Sequence, residues 1–125
     1  PNPTKRDAAD ALACARSILA GIAAWSQELQ ALGEPPVEVG VGLHIGEAFV
    51  GAIGDDARLE FTVAGDVVNV AARMEEATKA AGANLVATAE FVAAAGEKTR
   101  DWRALRGLEI RGKSATIKAF ADDGR

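Results

Sequence analysis

The sequence predicts an α+β fold, a single domain over residues 1–125 in which a long helix and linker (1–36) precede a mixed sheet with helices (37–125). Three observations carry this. A helical-period apolar face opens the chain, and the strand-like runs that follow come in hairpin-type pairs rather than in regular strand–helix alternation. The composition, 49% hydrophobic and 26% charged over 125 residues, is that of one globular domain rather than a disordered or fibrous chain.

From Asp7 to Leu32 there is no internal proline, and Leu12, Ala15, Leu19, Ile22, Trp25, Leu29 and Leu32 recur at steps of three and four. They trace one helical face, with Asp7 as N-cap and Gly33 as the stop before Pro35 and Pro36. Such a face lies on a sheet more often than it binds a partner. Val37 to His44 alternates apolar and small or polar residues, and Ala48 to Ile53 is a second apolar run, so Ile45-Gly46-Glu47 predicts a hairpin between them. Asp55-Asp56-Ala57-Arg58 reads as a solvated turn before the run Leu59 to Val63. Asp66 is expected to cap a helix through about Ala81, which Gly82 ends. Leu85 to Ala87 reads as a short buried strand, and Thr88 as the cap of a brief helix to Ala95. Trp102 to Arg111 and Thr116 to Ala121 read as two closing strands joined around Gly112-Lys113-Ser114.

Charge and composition exclude several classes of function. A net charge of −4 and no basic stripe argue against a nucleic-acid partner, and four Phe, two Trp and no Tyr are too few for a base-stacking platform. The 28 alanines bury little area each and chiefly favour helix. One cysteine, Cys14, forbids an internal disulfide and favours a reducing, cytoplasmic setting; mid-helix and without a basic neighbour, it reads as inert packing. The uninterrupted apolar stretch Ile18 to Trp25 is much shorter than the roughly 18–20 residues that span a bilayer, so no membrane segment is expected in this chain, although its parent could be anchored elsewhere.

The glycines between 40 and 54 do not form a phosphate loop: Gly46-x-x-x-x-Gly51 is followed by Ala52 where lysine is required. They instead let strands twist or another backbone come close. His44, the only histidine, has no second imidazole or thiol from which to build a zinc site and reads as a packed or edge residue. Asn69 and Arg73, four apart in the helix beginning near Asp66, project from one face. An amide that meets a sugar oxygen and a guanidinium that follows charge on a phosphate would there face one ligand.

Val39-Gly40-Val41-Gly42-Leu43-His44-Ile45-Gly46-Glu47-Ala48-Phe49-Val50-Gly51-Ala52-Ile53-Gly54, followed by Phe61-Thr62-Val63-Ala64-Gly65-Asp66-Val67-Val68-Asn69-Val70-Ala71-Ala72-Arg73-Met74-Glu75 and by Arg111-Gly112-Lys113, closely resembles the class III adenylate and guanylate cyclase catalytic domain. The resemblance covers about Val37 to Ala121. It implies a ferredoxin-like α+β fold, a head-to-tail homodimer, and conversion of a nucleoside triphosphate into its 3′,5′-cyclic monophosphate and pyrophosphate. By position, Asn69 corresponds to the asparagine that orients the ribose and Arg73 to the arginine that stabilises the transition state. Thr62 falls at the purine-selecting position and favours ATP over GTP, Val63 offers backbone contacts to the base, and Arg111, with Lys113 as alternative, meets the terminal phosphates.

The family's two metal-binding aspartates, which hold two Mg²⁺ or Mn²⁺ ions, lie on strands preceding the long helix, and this sequence contains neither those strands nor the adenine-recognising lysine. The expectation is therefore a cyclase domain truncated on its N-terminal side. Such a chain supplies the ribose-orienting and transition-state residues of a bacterial-type adenylate cyclase but no metal ligands; alone it is expected to be inactive and to self-associate, because the missing strands leave edges and apolar faces uncovered. Regulatory domains in the parent are expected too. The alternative is a catalytically inactive nucleotide-binding or dimerisation module.

Overall fold

The computed structural model describes residues 6–47, 49–55, 58–64, 66–106 and 117–123, and the side chains of all of these except 49–64. The elements run α1 (Asp7–Ala31), β1 (Val41–Leu43), β2 (Phe49–Asp55), β3 (Arg58–Ala64), α2 (Asp66–Ala81), β4 (Leu85–Thr88), α3 (Ala89–Ala94), a 3₁₀ turn (Thr99–Asp101), β5 (Arg103–Leu105) and β6 (Ala119–Asp122). Among the described residues, a four-stranded sheet has the order β1-β4-β6-β5, and β2 and β3 form a separate antiparallel ribbon.

β4 lies inside the sheet, parallel to β1 through Val41↔Leu85 and Leu43↔Ala87 and antiparallel to β6 through Leu85↔Asp122 and Thr88↔Ala119. A parallel pair needs a long crossover, and the β2–β3 ribbon with α2 provides it. All four residues of β4 are buried, and their alternation divides the core. Leu85 and Ala87 face Ala8, Leu12 and Ala15 of α1 with Phe91, Val92 and Trp102. Val86 joins Met74 and Ala77 of α2 with Ala119 and Ala121 of β6 on the opposite side. Fully burying Leu85 or Val86 contributes about 1.5–3 kcal/mol each. The alanines contribute less in area, but their small size lets helix and sheet backbones approach.

The α+β class, both long helices, the β4 strand and the Thr88 cap agree with the expectations. Thr88 Oγ1 accepts a hydrogen bond from the Phe91 N–H at 3.3 Å. α2 ends at Gly82, whose φ of +65° is readily adopted by glycine.

Five local expectations are corrected. β1 does not form a hairpin with β2; it pairs with β4, 44 residues away in register, and β2 turns back on β3 where Asp55 faces Arg58. Strand periodicity marks which runs are extended but carries no information about their partners. The strand expected from Val37 to His44 is regular only over Val41–Leu43. Arg6, not Asp7, is the cap position of α1, with no side-chain capping bond, and Asp7 and Asp66 are the first residues inside their helices, where their charges suit the helix dipole. Of the apolar face of α1 only Leu12 and Ala15 are buried, with Leu19 partly buried against the same core, while Trp25 and Leu32 remain 48% and 77% exposed. Cys14 is exposed rather than packed.

By length and mean hydropathy of 1.3 over its most apolar window, α1 could cross a membrane. Its Arg16, however, is ion-paired to Glu97 at 3.0 Å and to Asp122 at 2.9 Å, which docks the helix on the domain beside the buried Leu12 and Ala15. The closing strands β5 and β6 pair antiparallel, Arg103 opposite Ala121 and Leu105 opposite Ala119. The expected Gly112-Lys113-Ser114 connection lies outside the described residues.

Candidate active site

α2 forms where the sequence turns from strand to helix periodicity, and Val70, Met74 and Ala77 bury its inner face. Asn69 and Arg73 lie in its first two turns, away from that apolar stripe, with Asn69 exposed and Arg73 partly buried. The Arg73 Nη1 donates to Glu76 Oε2 at 2.9 Å, an exposed pair three residues apart on the same helix. The guanidinium is thus held along the helix surface by a carboxylate that a phosphate could replace.

β3 leads directly toward α2, and its backbone places Thr62 opposite Gly51 and Val63 opposite Val50, in the last residues of the ribbon. The chain therefore connects Thr62 and Val63, expected at the purine-selecting and base-contact positions, to the helix bearing Asn69 and Arg73; the Thr62 and Val63 side chains are outside those described. Arg111 and Lys113, expected at the terminal phosphates, also lie outside the described residues.

His44 stands half-buried just beyond β1, where its Nδ1 and Thr88 Oγ1 share a 2.7 Å hydrogen bond. It links the end of β1 to the cap of α3, in keeping with a packed edge histidine. Among the described residues no three His, Cys, Asp or Glu side chains come together to hold a metal ion.

Sequence reading missed a polar cluster on the other side of the sheet. Arg16 Nε donates to Asp122 Oδ2, and its two terminal nitrogens donate to the Glu97 carboxylate at 3.0 and 3.3 Å. Trp102 Nε1 donates to Glu97 Oε1 at 3.2 Å, and the guanidinium lies 5.8 Å from the Trp102 ring centroid. The hydrogen bond from Arg16, opposed by partial burial and aided by that from Trp102, holds the Glu97 carboxyl below the usual carboxylate range. No local spacing announces the cluster, since Arg16 and Asp122 are 106 residues apart. A groove of about 560 Å³ beside it is lined by Arg16, Leu19, Asn84, Asp122 and Asp123 among others and includes neither Asn69 nor Arg73. By contrast, the Arg73–Glu76 pair was detectable from its spacing of three.

Comparison with known proteins places this geometry in a family. Residues 3–121 match the model of the adenylate and guanylate cyclase catalytic domain. Adenylate cyclase 1 of Rhizobium meliloti (strain 1021) is 31% identical over 120 residues, which are 96% of this chain and 18% of that protein. The structure of the guanylyl cyclase Cya2 superposes with a TM-score of 0.77 at 26% identity, covering 97% of this chain and 60% of that one. The adenylyl cyclase CyaB from P. aeruginosa shares the fold at a TM-score of 0.77 and 23% identity, covering 99% of this chain and 63% of that one. This chain thus spans about three-fifths of these two solved cyclase chains and under a fifth of the Rhizobium protein. With a family match over nearly its whole length and the fold to go with it, the chain belongs to the class III adenylate and guanylate cyclase catalytic domain family.

Proposed function

We propose that this chain supplies the ribose-orienting and transition-state residues of an adenylate cyclase site, acting on ATP within a head-to-tail dimer. The observation that carries the reading is the presentation of Asn69 and Arg73 from the first two turns of α2, directly after the β3 positions of Thr62 and Val63. In the reaction the ribose 3′-oxygen bonds to the α-phosphorus as the bond to the β-phosphate oxygen breaks. The 3′-hydroxyl proton is lost to base or water, and pyrophosphate leaves. Asn69 holds the ribose so that the 3′-oxygen faces the phosphorus, and holding reactants in line replaces a costly encounter. Arg73 leaves Glu76 to meet charge building on the α-phosphate, where a preorganised cation lowers the barrier. Thr62 selects adenine, Val63 contacts the base through its backbone, and Arg111 or Lys113 meets the β- and γ-phosphates. The Mg²⁺ or Mn²⁺ ligands belong to the aspartates of another polypeptide or of a longer parent, in which further segments regulate the enzyme in the cytoplasm.

The test is complementation. A complete cyclase domain whose own Asn and Arg are replaced, with its aspartates intact, is co-folded with this chain and assayed for cyclic AMP from ATP and for cyclic GMP from GTP. The proposal expects cyclic AMP formation that disappears when the donor carries Arg73→Ala. Heterodimers that bind ATP without turnover would instead make the chain a non-catalytic nucleotide-binding or dimerisation module.

A further inference from the structure

We infer that Gly42 is a positioning residue: the absence of a Cβ there sets how closely α2 lies on β1, and hence where Asn69 and Arg73 stand. The geometric part is independent of the proposed function; its effect on catalysis rests on that reading. A Cβ at Gly42 would collide with the Glu75 backbone nitrogen, lie 2.5 Å from the Ala71 carbonyl oxygen and lie 2.8 Å from Glu75 Cα, where ordinary contact begins at 3.4 Å. Ala71 and Glu75 are four apart, so this nitrogen and oxygen form one rung of the helical ladder. Gly42 therefore lies directly over a hydrogen-bonded rung of α2. Neither atom can rotate away as a side chain can, so an added Cβ forces α2 and β1 apart by about 1 Å, since 2.5 Å must open to 3.4 Å at the Ala71 oxygen and slightly more at the nearer Glu75 nitrogen.

The contact at Gly40 differs in kind. Its added Cβ would strike Thr78 Oγ1, a hydroxyl that donates to Glu75 O at 2.6 Å, with Thr78 Cβ next at 3.2 Å. Removing the hydroxyl would leave only a tight contact. The two glycines thus lie along an α2 stripe of Ala71, Glu75 and Thr78, one against rigid backbone and the other against a side chain that can be removed.

Asn69 and Arg73 flank Ala71 by two residues on either side, which puts them on the face of α2 turned from β1. Retreat of the helix from β1 carries both outward together. A misplacement of about 1 Å in a reacting constellation can cost on the order of 100-fold in rate. Gly42 touches no nucleotide in this scheme; it acts through the helix.

The experiment compares wild-type full-length gene product with Gly42→Ala, Gly40→Ala and Gly40→Ala/Thr78→Ala by crystal structure and by cyclase kinetics. Gly42→Ala is expected to fold, to move α2 about 1 Å from β1, and to lower kcat about 100-fold with KM changed less than about threefold. Gly40→Ala should lower kcat, and adding Thr78→Ala should restore most of it. A purely structural role for Gly42 would reduce the folded fraction and leave kcat per folded molecule unchanged. An unmoved α2, or unchanged kcat in folded Gly42→Ala, overturns the inference. If Gly42→Ala does not fold, the Gly40 pair decides: loss and recovery of kcat supports helix placement, and failure of recovery overturns it. A wild type without cyclase turnover sinks the proposed function alone, because the α2 displacement in the Gly42→Ala structure, or in Gly40→Ala and its Thr78→Ala double, still decides the inference.

Discussion

Replacing Arg16 with Met keeps an apolar stem of similar length and removes the charge that joins α1 to Glu97 and Asp122. The arginine side chain is 39% exposed, so each ion pair contributes only the roughly 0.5–1 kcal/mol of a partly screened contact. The Trp102 ring contact adds about 0.5 kcal/mol. Asp122 is the costlier remnant, because its side chain is only 12% exposed and its carboxylate loses the 2.9 Å donor, a penalty of about 1 kcal/mol. The expected destabilisation is therefore about 2.5–3.5 kcal/mol. For a domain of this size, about 4 °C per kcal/mol translates that into a fall in Tm of roughly 10–14 °C.

The assay is thermal unfolding of the purified chain by circular dichroism, run as a double-mutant cycle with Glu97→Gln, in which a coupling of at least about 0.5 kcal/mol is expected. The pH dependence supplies an internal control. The Glu97 carboxyl has its folded-state pKa lowered from 4.5, chiefly by the Arg16 hydrogen bond, so below that value the unfolded chain binds the proton more readily. The resulting stabilisation is present above pH 4.5 and declines as pH falls from there through the depressed folded-state value. Arg16→Met should lose this part of the acid sensitivity. A Tm within about 2 °C of wild type, or strictly additive single substitutions, would refute the claim that the cluster couples α1 to the sheet.

In the full-length gene product, Arg73→Ala should lower kcat about 100-fold to 1,000-fold with a smaller change in KM, measured by steady-state cyclase assay. Glu76→Gln removes the carboxylate that competes with phosphate for Arg73, so KM for the nucleoside triphosphate should fall about two- to fivefold, the worth of an exposed ion pair, with Tm nearly unchanged. Cys14 is exposed, so it should react with a thiol reagent in the folded chain as readily as in the denatured one; protection on folding would contradict its placement. Leu32→Glu should shift Tm by no more than about 2 °C in the same melting assay, because a side chain 77% exposed buries little area to lose.

The helices α1 and α2, the buried strand β4, the Thr88 cap and the spacing that puts Asn69 and Arg73 on one face are all legible in the amino-acid order. Each is a local property, since apolar period, capping chemistry and chain-terminating glycine act within a few residues. The family resemblance was legible for a related reason: its motifs are nearly continuous runs around residues 39–54 and 61–75. The pairing of β1 with β4 rather than with β2 emerges only in the folded chain, because an apolar strand can satisfy its backbone along any compatible edge. Tertiary structure alone joined Arg16 to Glu97 and Asp122 across 81 and 106 residues, and it alone left Trp25 and Leu32 exposed on a face that periodicity marks as apolar. It also gave Gly42 a specific role. A glycine in a strand signals that something comes close, and that something is the Ala71–Glu75 rung of α2, because closing the β1–α2–β4 crossover brings the two backbones into contact.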